Sequence, residues 1–169
     1  PDLPIQADAR EFMVELLAPL KNAQPFEISD WLKRCQGWKL KYPVVLPEYK
    51  ECKDAVNSFY FIGILSEKLD KNAVIVTDMG TSFTCTMQTF KTKLGQRLFT
   101  SSGHASMGFG LPGAIGACIG NNRKDTICIS GDGGLQMNIQ ELQTIVHYNL
   151  PIKLFVLNNK GYLTIKATQ

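Results

Sequence analysis

Two apolar runs, TICIS at 126–130 and IKLFVLN at 152–158, flank a segment with helical spacing, and each ends in a polar turn. Gly131-Asp132-Gly133-Gly134 follows the first and Asn158-Asn159-Lys160-Gly161 the second. Short apolar runs bounded by turn residues read as buried strands. A strand, helix and strand in this order make a right-handed crossover that pairs the strands in parallel. Both polar clusters then lie at the carboxyl ends of strands, where open α/β sheets build ligand sites.

The same alternation extends upstream. Residues 57–69 read as a helix, 73–78 (AVIVTD) as a compact strand, 80–90 as a helix opening on a glycine, and 98–100 as a short strand. The stretch 106–120 is a helix of small residues that must pack closely. Strand 126–130, a helix from about 137 to 148 and strand 152–157 complete the set. The expected fold is α/β, a doubly wound, mostly parallel sheet flanked by helices.

The first part of the chain lacks this rhythm. Phe12, Leu16, Leu17 and Leu20 recur at helical spacing over 7–20. Ser29 is placed to cap a second helix carrying Trp31, Leu32 and Cys35, with Gly37 as its expected end. KYPVVLPEYK at 41–50, with two prolines, reads as an extended connector. Residues 1–50 are therefore expected to be the helical tail of a preceding domain plus a linker, and 51–169 a ligand-binding domain cut short at its C-terminal end. A start at Pro1 without methionine and a stop at Gln169 soon after the last strand suggest a piece of a longer protein.

Composition narrows the function classes. A net charge of +3 is too mild to argue for nucleic acid, and Lys33, Arg34, Lys39 and Lys41 are spaced like a solvated face. No apolar run approaches the ~18 residues of a membrane span, and no signal peptide is recognisable. Five cysteines without CxxC pairing read as free thiols, mostly buried, in a reducing compartment such as the cytoplasm.

Asp132 sets the chemistry. Its flanking glycines let the backbone turn sharply and approach a ligand, and the helix that follows offers N–H groups and a positive dipole end to a phosphate. A carboxylate there repels phosphate unless a cation stands between them, so Mg²⁺ or Ca²⁺ is implied. Asn159 adds a neutral side-chain oxygen and Gly161 a backbone carbonyl. Either turn alone is commonplace. Both, after successive buried strands, are not.

Gly131-Asp132-Gly133 followed by 24 residues and Asn158-Asn159 resembles the thiamine diphosphate motif of acetolactate synthases and 2-oxoacid decarboxylases. FTSSGHASMGFGLPGAIGA at 99–117 is similar to that family's segment ahead of GDG, and VTDMGTSF at 76–83 to its diphosphate-contacting turn. The resemblance covers roughly 55–169, and residues 1–40 resemble the end of the family's middle domain. It implies that Asp132 and Asn159 bind Mg²⁺ by side chains and Gly161 by its carbonyl. Gly80, Thr81, Gly133 and Gly134 would hold the diphosphate by backbone N–H groups, with the Thr81 hydroxyl assisting. Met107 falls where the family bends the cofactor over a large apolar residue. The Ala105 carbonyl falls where the family, usually with glycine, bonds the cofactor's amino group.

The activity implied is decarboxylation of a pyruvate-type 2-oxoacid, with transfer or release of the resulting aldehyde unit, in a full-length homodimer or homotetramer. The family's activating glutamate lies in an N-terminal domain, so no residue here, Glu141 included, takes a catalytic role, and the piece alone is expected to be inactive. Lys160-Gly161-Tyr162-Leu163-Thr164-Ile165 departs from acetolactate synthases, which usually lead from Asn-Asn to a tryptophan near the substrate; it is closer to decarboxylases and to acetolactate synthase-like proteins of unsettled substrate, and the alternative activity is a 2-oxoacid decarboxylase of the pyruvate decarboxylase type. A third reading, a non-catalytic phosphate-ligand module, is disfavoured because no Walker lysine or GxGxxG follows the first strand. His104 stands near the implied cofactor contact, and His147 reads as a helix C-terminal dipole partner.

Overall fold

A computed structural model describes residues 2–169. They form two compact units, one ending at Tyr42 and the other running from Pro43 to Gln169.

The first unit holds two helices. Helix α1 (Ala9–Leu20) starts at Asp8, whose carboxylate accepts from the backbone N–H groups of Arg10 and Glu11 at 2.9 and 3.3 Å. Its apolar stripe is largely exposed and none of its residues is buried. Helix α2 (Ser29–Lys41) does not stop at Gly37 as the sequence suggests. Trp31 and Trp38 meet edge to face at 5.7 Å across that glycine, and a mid-helix glycine costs only about 1 kcal/mol against alanine. Ser29 is the first helical residue rather than the cap, with its N–H donating to Glu27 Oε1 at 2.9 Å.

The second unit opens with a short 3₁₀ turn (Pro47–Glu51) and continues α3 (Ser58–Lys68), β1 (Val74–Thr77), α4 (Thr81–Thr89), β2 (Arg97–Phe99), α5 (Gly110–Gly120), β3 (Thr126–Gly131), α6 (Asp132–Met137), α7 (Glu141–His147), β4 (Ile152–Leu157) and α8 (Leu163–Thr168). The four strands are all parallel, in the order β2-β1-β3-β4. The chain steps outward from β1 to β2, then returns past β1 to β3. The switch point of the sheet thus lies between β1 and β3, and open α/β sheets bind ligands outside the strand ends at such a point.

Alternation along the strands builds two cores. Ile75, Ile127 and Ile129 face Ile62 of α3 and Cys85 of α4, while Val76 and Cys128 face Ala114 of α5. A smaller cluster of Ile115, Cys118 and Leu150 joins α5 to the segment leading into β4, with Ile145 of α7 against it. The sheet is therefore covered on both faces, the doubly wound arrangement expected from the sequence. No helix among the described residues is long and apolar enough to cross a membrane.

The helix expected from about 137 to 148 is α7, starting at Glu141, and a short helix that the sequence did not signal, α6, runs ahead of it from Asp132 to Met137. Asn138 leaves helical geometry with φ −135° and turns its side-chain amide to the carbonyl of Gly108 at 2.8 Å. That bond to a distant segment takes the place of helix continuation.

All five cysteines are free; Cys85, Cys118 and Cys128 are buried. Burial, and then the charge of nearby Asp78, push the Cys128 thiol up to about 12 from an ordinary value of 9.0. Below pH 9 both folded and unfolded chains keep this proton; between 9 and 12 only the unfolded chain releases it, so stability falls as pH rises through that window. Urea unfolding at pH 8 and pH 10.5 should show about 1–2 kcal/mol more loss for the wild type than for Cys128→Ala. Equal losses would contradict the assignment.

Candidate functional site

The site begins with a buried carboxylate at the switch point. Asp78 follows the last residue of β1 and is 1% exposed. Its backbone N–H donates to the Ile129 carbonyl of β3 at 2.8 Å. Its Oδ1 accepts from the N–H groups of Met79 at 2.8 Å and Gly108 at 3.0 Å, and its Oδ2 accepts from Ser130 Oγ at 2.9 Å. Three donors to the side chain and one bond from the backbone thus tie the end of β1 to β3 and to the Gly108 segment.

Glycines admit that side chain. A Cβ at Gly134 would lie 2.5 Å from Asp78 Oδ2, and one at Gly110 would lie 2.9 Å from Asp78 Cβ. Two of the glycines around the pocket are therefore needed for packing against Asp78. For Gly134 this is a role that its place in GDGG does not reveal.

Beside Asp78, a pocket of about 390 Å³ opens at the carboxyl ends of β1, β3 and β4. That size lies within the usual range of small-ligand sites. Every position carrying an expected cofactor or metal contact lines it: Gly80, Thr81, Ala105, Met107, Asp132, Gly133, Gly134, Asn159 and Gly161. Four stretches far apart in the chain reach one cavity, each following the carboxyl end of one of the four parallel strands.

Gly80, at φ +72°, turns the chain from Asp78 into α4, which begins at the pocket wall with no side-chain cap on its first N–H groups. Thr81 Oγ1 accepts from Asn159 Nδ2 at 3.2 Å, so the α4 start and the turn after β4 are in direct contact. Asp132 Oδ2 accepts from the Gly161 N–H at 3.0 Å, which joins that same turn to GDGG. Lys160 N–H donates to Asn158 Oδ1 at 3.0 Å and holds the turn closed.

One atom stands out. Asn159 Oδ1 is buried and has no hydrogen-bond partner among the described residues. An orphaned buried acceptor is costly unless a cation or a donor meets it. With the Asp132 carboxylate and the Gly161 backbone beside it, the donor set is all oxygen, which suits a hard divalent cation. No group of three His, Cys, Asp or Glu forms among the described residues. One carboxylate and two neutral oxygens are too few for a dedicated protein cage, so a cation here needs further oxygens from a ligand. The residues fit a metal that arrives with a diphosphate.

Met107 is 39% exposed and lines the same pocket. Ala105 stands at φ +53°, the left-handed region that favours glycine, with its N–H donating to Ser101 O at 2.7 Å. This is the position where the family resemblance implies glycine.

His104 is exposed and does not line the pocket. His147 closes α7 as expected. Glu141 begins α7 and accepts from Thr144 Oγ1 at 2.9 Å, away from the pocket lining. The sequence reading missed Asp78, Gly108, Ser130 and Asn138, and also Tyr162, whose ring lies 2.8 Å from where a Cβ of Gly133 would stand. The available signal for Asp78 was an acid ending an otherwise apolar strand.

Comparison with known proteins agrees with this geometry. The family described as "Thiamine pyrophosphate enzyme, C-terminal TPP binding domain" matches residues 78–169. The acetolactate synthase large subunit of Pyropia yezoensis is 37% identical over 172 residues, covering 100% of this chain and 28% of that protein. The acetolactate synthase isozyme 1 large subunit of Escherichia coli (strain K12) is 36% identical over 161 residues, covering 95% of this chain and 28% of that protein. Acetolactate synthase 1, chloroplastic, of Nicotiana tabacum is 35% identical over 163 residues, covering 95% of this chain and 24% of that protein. The chain thus spans less than a third of the length of these relatives.

The backbone geometry makes two opposite predictions. Ala105→Gly relieves the left-handed strain and should stabilise the chain by about 0.5–1 kcal/mol in denaturant unfolding. Gly134→Ala forces a methyl group into Asp78 and should destabilise it by about 1–3 kcal/mol. A neutral result for Gly134→Ala would mean that Asp78 is not held as described.

Proposed function

We propose that this chain, which belongs to the thiamine pyrophosphate enzyme family, forms the diphosphate-and-metal half of a thiamine diphosphate site in an acetolactate synthase-like enzyme acting on a 2-oxoacid. The observation that carries this reading is the unpartnered, buried Asn159 Oδ1, set beside Asp132 and Gly161 in a pocket that the α4 start also walls. This acceptor suits a cation, and the uncapped start of α4 beside it suits phosphate.

In this reading Asp132, Asn159 Oδ1 and the Gly161 carbonyl would hold Mg²⁺, which would offset the charge of the diphosphate. The backbone of Gly80, Thr81, Gly133 and Gly134 surrounds its oxygens, with the uncapped N-terminus of α4 adding its dipole. Thr81 Oγ1 steadies the Asn159 amide, so that its oxygen and not its nitrogen faces the ion. Met107 and the Ala105 carbonyl, which line the same pocket, would meet the ring end. When bound, thiamine diphosphate supplies a carbon nucleophile and an electron sink for removing carbon dioxide from a 2-oxoacid. Met79, Phe83, Leu163 and Ile165 add apolar lining that limits water near that chemistry.

The names of the relatives support an acetolactate synthase-like activity over simple decarboxylation. The decarboxylase alternative rests on the Lys160–Ile165 stretch, which leads into α8 and places Leu163, Thr164 and Ile165 on the pocket. A complete enzyme would take its activating glutamate from another domain and would be a homodimer or homotetramer.

Calorimetric titration with thiamine diphosphate tests the reading. Binding should require Mg²⁺, vanish in EDTA, weaken at least about tenfold in Asp132→Ala, and resist competition by ADP. Binding that survives both EDTA and Asp132→Ala would overturn the metal bridge. Equal affinity for ADP would favour a non-catalytic phosphate-binding module.

A further inference from the structure

Gly108 is held from both ends. Its N–H donates to Asp78 Oδ1 at 3.0 Å, and its carbonyl accepts from Asn138 Nδ2 at 2.8 Å. Its φ is +85°, and a Cβ there would lie 2.9 Å from both Asn138 Nδ2 and Met137 Cβ. The peptide is closed against the end of α6 with no room for a side chain. It directly follows Met107, the apolar wall of the pocket.

The same Asp78 carboxylate takes the Met79 N–H and the Ser130 hydroxyl, and so also fixes the turn into Gly80 and the approach to Asp132. Asn138 ends the short helix that Asp132 begins. The two residues that grip Gly108 are thus the ones tied to the segments on the polar side of the pocket. Neither Asp78 nor Asn138 lines the pocket itself.

We propose that Asp78 and Asn138 are positioning residues that clamp the Gly108 peptide and set the spacing between Met107 and the metal-binding turn. The proposal rests on the thiamine diphosphate reading above. A ligand gripped at both ends gains from the second contact only when the two grips are held at matching distance. Loosening the clamp should therefore cost the ring end its contribution and leave the diphosphate end intact.

The test compares two probes on this chain, Mg²⁺–thiamine diphosphate and Mg²⁺–pyrophosphate, with wild type, Asn138→Ala and Asp78→Asn. Amide exchange of Gly108 is followed by NMR without ligand. Wild type should protect the Gly108 amide and bind thiamine diphosphate more tightly than pyrophosphate. Asn138→Ala should speed that exchange, and weaken thiamine diphosphate roughly tenfold while pyrophosphate stays within about twofold. Asp78→Asn keeps one acceptor oxygen toward Met79 and Gly108 and turns its NH₂ to Ser130 Oγ, so it should retain most of the discrimination that Asn138→Ala loses. Equal weakening of both probes in Asn138→Ala would show general structural damage and overturn the proposal, as would no change in either. A Gly108 amide that is protected in wild type and released in Asn138→Ala, in a protein showing no preference for thiamine diphosphate over pyrophosphate, would instead sink the cofactor reading and the proposal with it.

Discussion

A carboxylate buried between two parallel strands must find donors or leave the interior. Asp78 finds them from its neighbour Met79, from Gly108, and from Ser130 on the adjacent strand. Much else follows. The helix of small residues can approach β1 because Gly110 leaves space beside the Asp78 Cβ, and GDGG can fold over the strand ends because Gly134 leaves space at its Oδ2. Cys128, one face over, feels the same charge and burial and remains a thiol. The pocket is therefore assembled around a polar anchor rather than around its apolar core.

Electrostatics then decides what the pocket can accept. Asp132 alone among its polar lining residues carries a negative charge, and it accepts the Gly161 N–H. Asp132 and a diphosphate are compatible only with a cation between them. Asn159 suits that arrangement, since an amide oxygen adds a ligand without adding charge, and its nitrogen is already occupied by Thr81. Substituting aspartate at 159 would increase the site's negative charge and work against the phosphate.

Much of this was legible in the sequence. The periodicity of strands and helices from 57 onward, the doubly wound class and the two polar turns at strand ends all follow from local pattern. So does the convergence of Asp132, Asn159 and Gly161, because successive parallel strands must end side by side. What the sequence concealed depends on contacts between distant residues. Ser130 and Asp78 are 52 positions apart, and only the register of β1 on β3 brings them together. Likewise α6 went unread, and it ends at Asn138, whose amide bonds Gly108 30 residues earlier. Gly37 misled in the other direction: tryptophan contact carried α2 through it.

The central claim is that a divalent cation sits on Asp132, Asn159 and Gly161 only in company with diphosphate. Paramagnetic Mn²⁺ in place of Mg²⁺ tests it directly by NMR. With pyrophosphate present, line broadening should concentrate on the amides of residues 80–81, 131–134 and 159–161; with Mn²⁺ alone at the same concentration, those amides should be nearly unaffected. Broadening centred elsewhere, or equal broadening without pyrophosphate, would contradict the account.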